Sequence, residues 1–196
     1  MDGCQLHDTT VDALFAIIET DAQWSFAPSH CVQFLFGIGT RSPSLKTACI
    51  EVIQLAMKYF ADVFTSNSWI LFPICYGNHF FLAEIEYENR IFRLYNSLKK
   101  CVREDALFFF RRLIERASEL KIYTDSPAIH EITAGEWELF NVEAAQQANY
   151  VDCGVFVIKY AMDLKNRSND YNQPFDVVEL RKSLQELLLS NVKYKQ

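Results

Sequence analysis

The chain has 196 residues, half of them hydrophobic and 14% aromatic, with a formal net charge of −6. That length and apolar content suit one compact domain over residues 1–196 with a large core, and they exclude a disordered chain. The acidic balance excludes the basic surface on which nucleic-acid-binding domains depend.

Asp8 or Thr9 can cap a helix over about 9–19, where Val11, Leu14, Phe15 and Ile18 form an apolar face. Residues 20–45 are mixed and interrupted by Pro28, Gly37, Gly39 and Pro43; Gly37-Ile38-Gly39 reads as a turn. Helical periodicity returns over 43–60. Trp69 to Ile74 is a short apolar run of strand type, Cys75 to Asn78 a turn, His79 to Tyr87 a second strand and Arg90 to Tyr95 a third. An amphipathic helix is predicted over 103–119, extended chain over 127–142, and a helix from Cys153 to about Leu164. Asp176 caps a last helix reaching about Leu189. The pattern is that of an α+β domain, a small sheet flanked by helices.

The six cysteines, Cys4, Cys31, Cys49, Cys75, Cys101 and Cys153, share no CxxC spacing. With no secretory signal and no apolar run of membrane-spanning length, reduced thiols in a cytosolic or nuclear protein are expected. Cys4-x-x-His7 and His30-Cys31 carry zinc-ligand residue types, but both pairs sit in apolar or helical surroundings and read as ordinary structural or surface residues.

One stretch carries chemistry. In Gln146-Gln147-Ala148-Asn149-Tyr150-Val151-Asp152-Cys153-Gly154 a thiol stands where a polar segment meets the apolar run Val155 to Ile158. Unpaired backbone N–H groups and the positive end of a helix dipole favour the thiolate there. Gln147, six residues upstream, can offer an amide to an oxyanion. Asp152 reads as a cap or turn residue and Gln146 as structural.

A thiolate needs a base, and the base needs an orienting group. His79 is the histidine at a strand start beside a loop. A two-residue turn at Glu88-Asn89 pairs Tyr87 with Arg90, and hence Phe81 with Asn96. Because strand side chains alternate, His79 shares a face with Phe81 and becomes the diagonal neighbour of Asn96. A slip of one residue would place Asn96 on the other face.

His79-Phe80, Asn96-Ser97 seventeen residues on, then Gln147 and Asp152-Cys153-Gly154 together resemble the ubiquitin-like-protein-specific cysteine proteases. These include the SUMO-specific and NEDD8-specific proteases, relatives of the adenovirus protease. The resemblance extends to Leu6-His7-Asp8-Thr9 before the first helix, to the strand from Trp69 and to Leu180-Arg181 in the last helix. It implies a papain-like, adenain-like fold. It also implies a thiol peptidase that cleaves after the C-terminal Gly-Gly of SUMO, NEDD8 or ubiquitin. Cys153 would be nucleophile, His79 base, Asn96 orienting residue and Gln147 oxyanion donor. Phe80, Trp69, Gln5, Asp152 and Gly154 would lie around the substrate, although Trp69 also reads as core. No metal or cofactor is implied; the partner is the modifier with its conjugates, met by a monomer. Three positions depart from the family pattern: Asn96 stands for aspartate, and Phe80 and Gln5 stand for the two tryptophans that clamp the tail. Other readings are a viral-type protease processing polyproteins at Gly-Gly-X sites, a YopJ-type acetyltransferase, and a modifier-binding pseudoprotease.

Overall fold

A computed structural model of the chain describes residues 5–18, 24–38, 45, 48–64, 69–99, 103–168 and 170–193. Among these, five strands form one mixed sheet: β1 (Trp24–Phe26), β2 (Trp69–Tyr76), β3 (His79–Glu86), β4 (Ile91–Tyr95) and β5 (Glu138–Val142), in that spatial order. β2, β3 and β4 are an antiparallel meander, while β1 runs parallel to β2 and β5 parallel to β4.

Side-chain alternation along β3 splits the core in two. Phe81, Ala83 and Ile85 enter a cluster with Phe72, Phe92 and Leu94. The helices over that face are α2 (Ser29–Leu35), α3 (Ile50–Phe64), α4 (Ala106–Leu120) and α5 (Pro127–Thr133). Phe80 and Leu82 point the other way, into a cluster with Leu71 and Tyr95. Covering it are α1 (Asp8–Ile18), α6 (Cys153–Lys165) and α7 (Val177–Lys193). With both faces covered, β3 is buried from His79 through Ile85, as a central strand requires. The one carboxylate within that run, Glu84, accepts the Tyr95 hydroxyl at 2.8 Å and faces Arg93 across the strand pair, so its buried oxygens are satisfied.

The predicted hairpin register holds. Leu82 pairs with Tyr95 and Glu86 with Ile91, the ladder that places Phe81 opposite Asn96. The turn spans Tyr87 to Arg90, closed by the Arg90 N–H on the Tyr87 carbonyl at 3.2 Å. Arg90 takes a positive φ of 54°.

Elsewhere the structure departs from expectation. The α1 cap is neither Asp8 nor Thr9: the His7 carbonyl accepts the first helical N–H groups. Gly37 turns as predicted, at φ +59°, while Gly39 lies outside the described residues. The predicted 43–60 helix starts at Ile50, with Leu45, Ala48 and Cys49 outside it and the rest of 43–47 outside the described residues. β1 and α2 occupy the stretch that read only as mixed. The predicted extended segment 127–142 divides into α5 and β5, because Pro127 sits at a helix start, where its fixed φ and missing N–H are tolerated. Asp176 caps α7 as predicted, its carboxylate accepting from Val178 and Glu179 N–H at 2.9 and 3.0 Å.

Candidate active site

The predicted residues meet at one end of the sheet. β2 ends at Tyr76, and the tight Gly77-Asn78 turn, both residues at positive φ, returns the chain into His79. β4 delivers Asn96 immediately after Tyr95, and α6 begins at Cys153. His79, Asn96, Gln147 and Asp152 are buried, and Cys153 is fully so at 0% exposure.

His79 Nε2 lies 2.9 Å from Asn96 Oδ1. The same oxygen accepts the Leu98 backbone N–H at 2.8 Å. That second bond fixes the chemistry. A backbone N–H can only donate, so the atom facing it is the carbonyl oxygen of the amide and not its nitrogen. His79 Nε2 must then carry the hydrogen, and Nδ1 is left as a bare lone pair. Nδ1 is buried without a hydrogen-bond partner. Burial pushes the His79 pKa down, favouring neutral imidazole, against a smaller upward pull from the Asn96 bond and from Glu104. Phe81 packs edge-on to the ring at 4.6 Å. The result is an imidazole locked in one tautomer with an unused basic nitrogen.

The loop before α6 is tied to the end of β4. The Gln147 N–H donates to the Ser97 carbonyl at 3.0 Å, and Gln146 Nε2 donates to the Asn96 carbonyl at 2.8 Å. Gln146 Oε1 accepts the Lys99 N–H at 3.1 Å, so Gln146 is a staple, as its structural reading expected. Gln147 Oε1 accepts the Ser97 hydroxyl at 2.5 Å, and its Nε2 donates to the Asn149 carbonyl at 2.5 Å. An amide nitrogen has two hydrogens, so one stays uncommitted by that bond. Asn149 knits the turn, its Oδ1 accepting from Val151 and Asp152 N–H at 2.9 and 3.1 Å.

Asp152 stands at the cap position of α6, but its side chain makes no cap bond there. Its Oδ1 accepts Arg181 Nε and a second guanidinium nitrogen at 2.9 and 2.5 Å, and its Oδ2 accepts Asn149 Nδ2 at 2.6 Å. Asp152 thus holds the expected cap position through its backbone carbonyl, which receives the first helical N–H groups, while its carboxylate clamps the loop onto α7. Gly154 marks a close approach of α6 to the start of α1: a Cβ there would lie 3.0 Å from Leu6 Cβ and 3.4 Å from Val11 Cγ2, so Leu6 would have to give by a few tenths of an ångström.

Gln5 and Phe80, both expected to lie around the substrate, line one cavity of about 280 Å³ together with Leu6, Cys75 and Asn78. Gln5 Nε2 lies 2.8 Å from the Asn78 carbonyl and 3.8 Å from Cys153 Sγ. One amide nitrogen touching both brings the thiol beside the turn that leads into His79. Trp69 is not part of this assembly. It stands at the opposite end of β2, paired with Glu86 and stacked on Trp24 at 5.4 Å, seven residues or roughly 23 Å of strand from Tyr76. Its role as a substrate wall is corrected to the packing reading.

Sequence reasoning did not find Arg181, Ser97 or Asn149 as site residues. Ser97 and Asn149 had a signal, being polar residues inside the motifs that supplied Asn96 and Cys153. Arg181 had a signal only in the resemblance of Leu180-Arg181 to the family's last helix; its pairing with Asp152, 29 residues away, had none. Among the described residues no group of three or more His, Cys, Asp or Glu side chains could hold a metal ion. No helix among them is long and apolar enough to cross a membrane.

A thiol at a helix start, a lone-pair imidazole and an orienting amide on a mixed sheet flanked by helices define the cysteine-type peptidases. The model of the Ulp1 protease family, C-terminal catalytic domain, matches residues 42–191, and the chain belongs to that family. The fold agrees. The chain superposes on the SUMO protease Ulp1 with its catalytic cysteine oxidized to a sulfinic acid (TM-score 0.68, 17% identity, 95% of this chain and 78% of that one). It is similar to the Chaetomium thermophilum Ulp1-like SUMO protease catalytic domain (TM-score 0.56, 22% identity, 94% and 70%). It is also similar to the Rickettsia bellii effector protein RickCE (TM-score 0.57, 12% identity, 96% and 95%). A comparison with curated proteins finds no match.

Proposed function

We propose that this chain hydrolyses the bond after the C-terminal Gly-Gly of a ubiquitin-like modifier, by a Cys153-His79-Asn96 triad with Gln147 as oxyanion donor. The observation that carries the reading is the double acceptance at Asn96 Oδ1. It leaves His79 Nδ1 buried and unpaired, while Gln5 Nε2 touches both Cys153 Sγ and the carbonyl of Asn78, the residue before His79. A similar fold, the Ulp1 C-terminal protease domain, was determined in complex with Smt3, the yeast ortholog of SUMO (TM-score 0.68, 17% identity, 97% of this chain and 79% of that one). That supports a modifier as partner.

In this reading His79 Nδ1 takes the Cys153 proton and Sγ adds to the glycine carbonyl. The uncommitted hydrogen of Gln147 Nε2 and the Cys153 backbone N–H, which has no partner within the helix, face the developing oxyanion. The imidazolium returns its proton to the leaving amine. Water, deprotonated by His79, then cleaves the thioester and restores the thiol. Phe80 forms one wall of the passage for the tail, and Gln5 does not reproduce the other. Asp152 and Gly154 act by position, holding the loop and the helix start.

The test is a panel of SUMO, NEDD8 and ubiquitin probes ending in vinyl sulfone or propargylamide, with Cys153→Ala as control. One covalent adduct, absent from the control, is the expected result. A folded protein that forms no Cys153 adduct with any of the three refutes the proposal.

A further inference from the structure

Gln5 does something a tail-clamping side chain would not. Its Nε2 bridges the Asn78 carbonyl and Cys153 Sγ, at 2.8 and 3.8 Å. The amide orientation follows from chemistry. A backbone carbonyl only accepts, so the atom facing Asn78 is the nitrogen, and its second hydrogen is available to the sulfur. The thiol is fully buried while Gln5 itself is exposed, and Cys153 does not line the neighbouring cavity that Gln5 does.

The rest of the site gives this donor a purpose. Moving the thiol proton to His79 creates a thiolate and an imidazolium. The imidazolium half is poorly supported: Asn96 brings no negative charge, and burial favours neutral imidazole. The thiolate half must then be stabilised by uncharged donors. The N-terminus of α6 is one. We infer that Gln5 is the other, a catalytic residue whose amide N–H donates to Cys153 Sγ and holds it as the thiolate. This rests on Cys153 being the nucleophile proposed above. It assigns Gln5 a role opposite in kind to an indole wall. An N–H aimed at an anion favours the charged form, and a hydrogen bond to a charged group is stronger than one between neutral groups.

The test needs no substrate. Alkylation of Cys153 by iodoacetamide is followed by peptide mass spectrometry from pH 5 to 9 in the full chain, with Gln5→Met and Gln5→Glu. Gln5→Met keeps the length and removes the donor. Its acid limb should move to higher pH by roughly half a unit, slowing alkylation at pH 6 about threefold. Gln5→Glu, placing a carboxylate against the sulfur, should move it further. Gln5 is on the surface, and circular dichroism checks that both variants fold. Superimposable wild-type and Gln5→Met profiles overturn the inference. So does a uniform acceleration at every pH, which would mean that Gln5 merely covers the thiol. If wild-type Cys153 reacts no faster than exposed Cys49, the nucleophile assignment falls, and the inference with it. If wild-type Cys153 is fast and Gln5→Met follows the same curve, the role of Gln5 alone fails.

Discussion

Asn96→Asp tests the proposed triad at its least conventional member. The carboxylate keeps an oxygen where Oδ1 now accepts both His79 Nε2–H and Leu98 N–H, at 2.9 and 2.8 Å. What changes is charge. A hydrogen bond between neutral groups contributes about 0.5–1.5 kcal/mol and one to a charged group about 1.5–3, a difference of about 1 kcal/mol. Spent on the imidazolium, this raises the His79 pKa, opposing the downward push of burial. Where imidazolium develops in the rate-limiting step, kcat/KM rises up to about fivefold. Desolvating a new carboxylate at a 9%-exposed site offsets part of that, so the outcome lies between no change and the full gain. Asn96→Ala should behave in the opposite way. It removes the acceptor that sets the tautomer, and kcat/KM on a fluorogenic modifier substrate falls by about a hundredfold or more. NMR titration of the His79 ring protons reports the pKa directly. A tenfold loss for Asn96→Asp with an unchanged urea midpoint would refute the orienting role.

Arg181→Met leaves the buried Asp152 carboxylate with Asn149 alone and should cost about 3–5 kcal/mol in urea unfolding, while Asp152→Asn in the same chain restores most of it. A loss below about 1 kcal/mol would show that the clamp is dispensable. Gly154→Ala gains about 0.5–1 kcal/mol of helix propensity but pushes a methyl against Leu6 at 3.0 Å. Overpacking of about 1–3 kcal/mol wins, and a thermal melt should fall; a higher Tm would contradict the close-approach argument. For His79, a pKa lowered by burial means that the unfolded chain binds more protons in the interval below about 6.5. Stability is therefore full at neutral pH and declines as pH falls through that interval. The drop in urea midpoint from pH 7.5 to 5 should be smaller in His79→Gln, and equal drops would remove His79 from the account.

What the sequence displayed depended on range. Alternation along His79 to Ile85 and a short turn set a register that the backbone reproduces, because local twist and pairing leave few alternatives. Loop residues 146–154 announced the thiol through spacing alone. β1 and α2 were illegible because three strand residues and seven helical ones between prolines and glycines carry too little periodicity. α5 was misread as extended chain because seven residues carry too little periodicity, although Pro127 at a first helical position is a helix-start signal. The Arg181–Asp152 pair and the Gln5–Cys153 contact join residues 29 and 148 positions apart, and no local pattern encodes such a meeting.

Two of the three expected departures from the family pattern, Asn96 and Gln5, are better understood together than singly. Replacing an orienting carboxylate by Asn96 removes charge from the imidazolium side of the site. Replacing an indole by Gln5 adds a donor on the thiolate side, within 3.8 Å of the sulfur. The first change weakens one half of the ion pair and the second strengthens the other, so their effects on the proton transfer have opposite sign. If the two compensate, Asn96→Asp should relieve the need for Gln5. The acid-limb shift caused by Gln5→Met would then be smaller in the Asn96→Asp background than in the parent, a coupling that a double-mutant cycle on alkylation rate measures. Strict additivity would mean that the two substitutions are independent, and that Gln5 serves the thiol whatever orients His79.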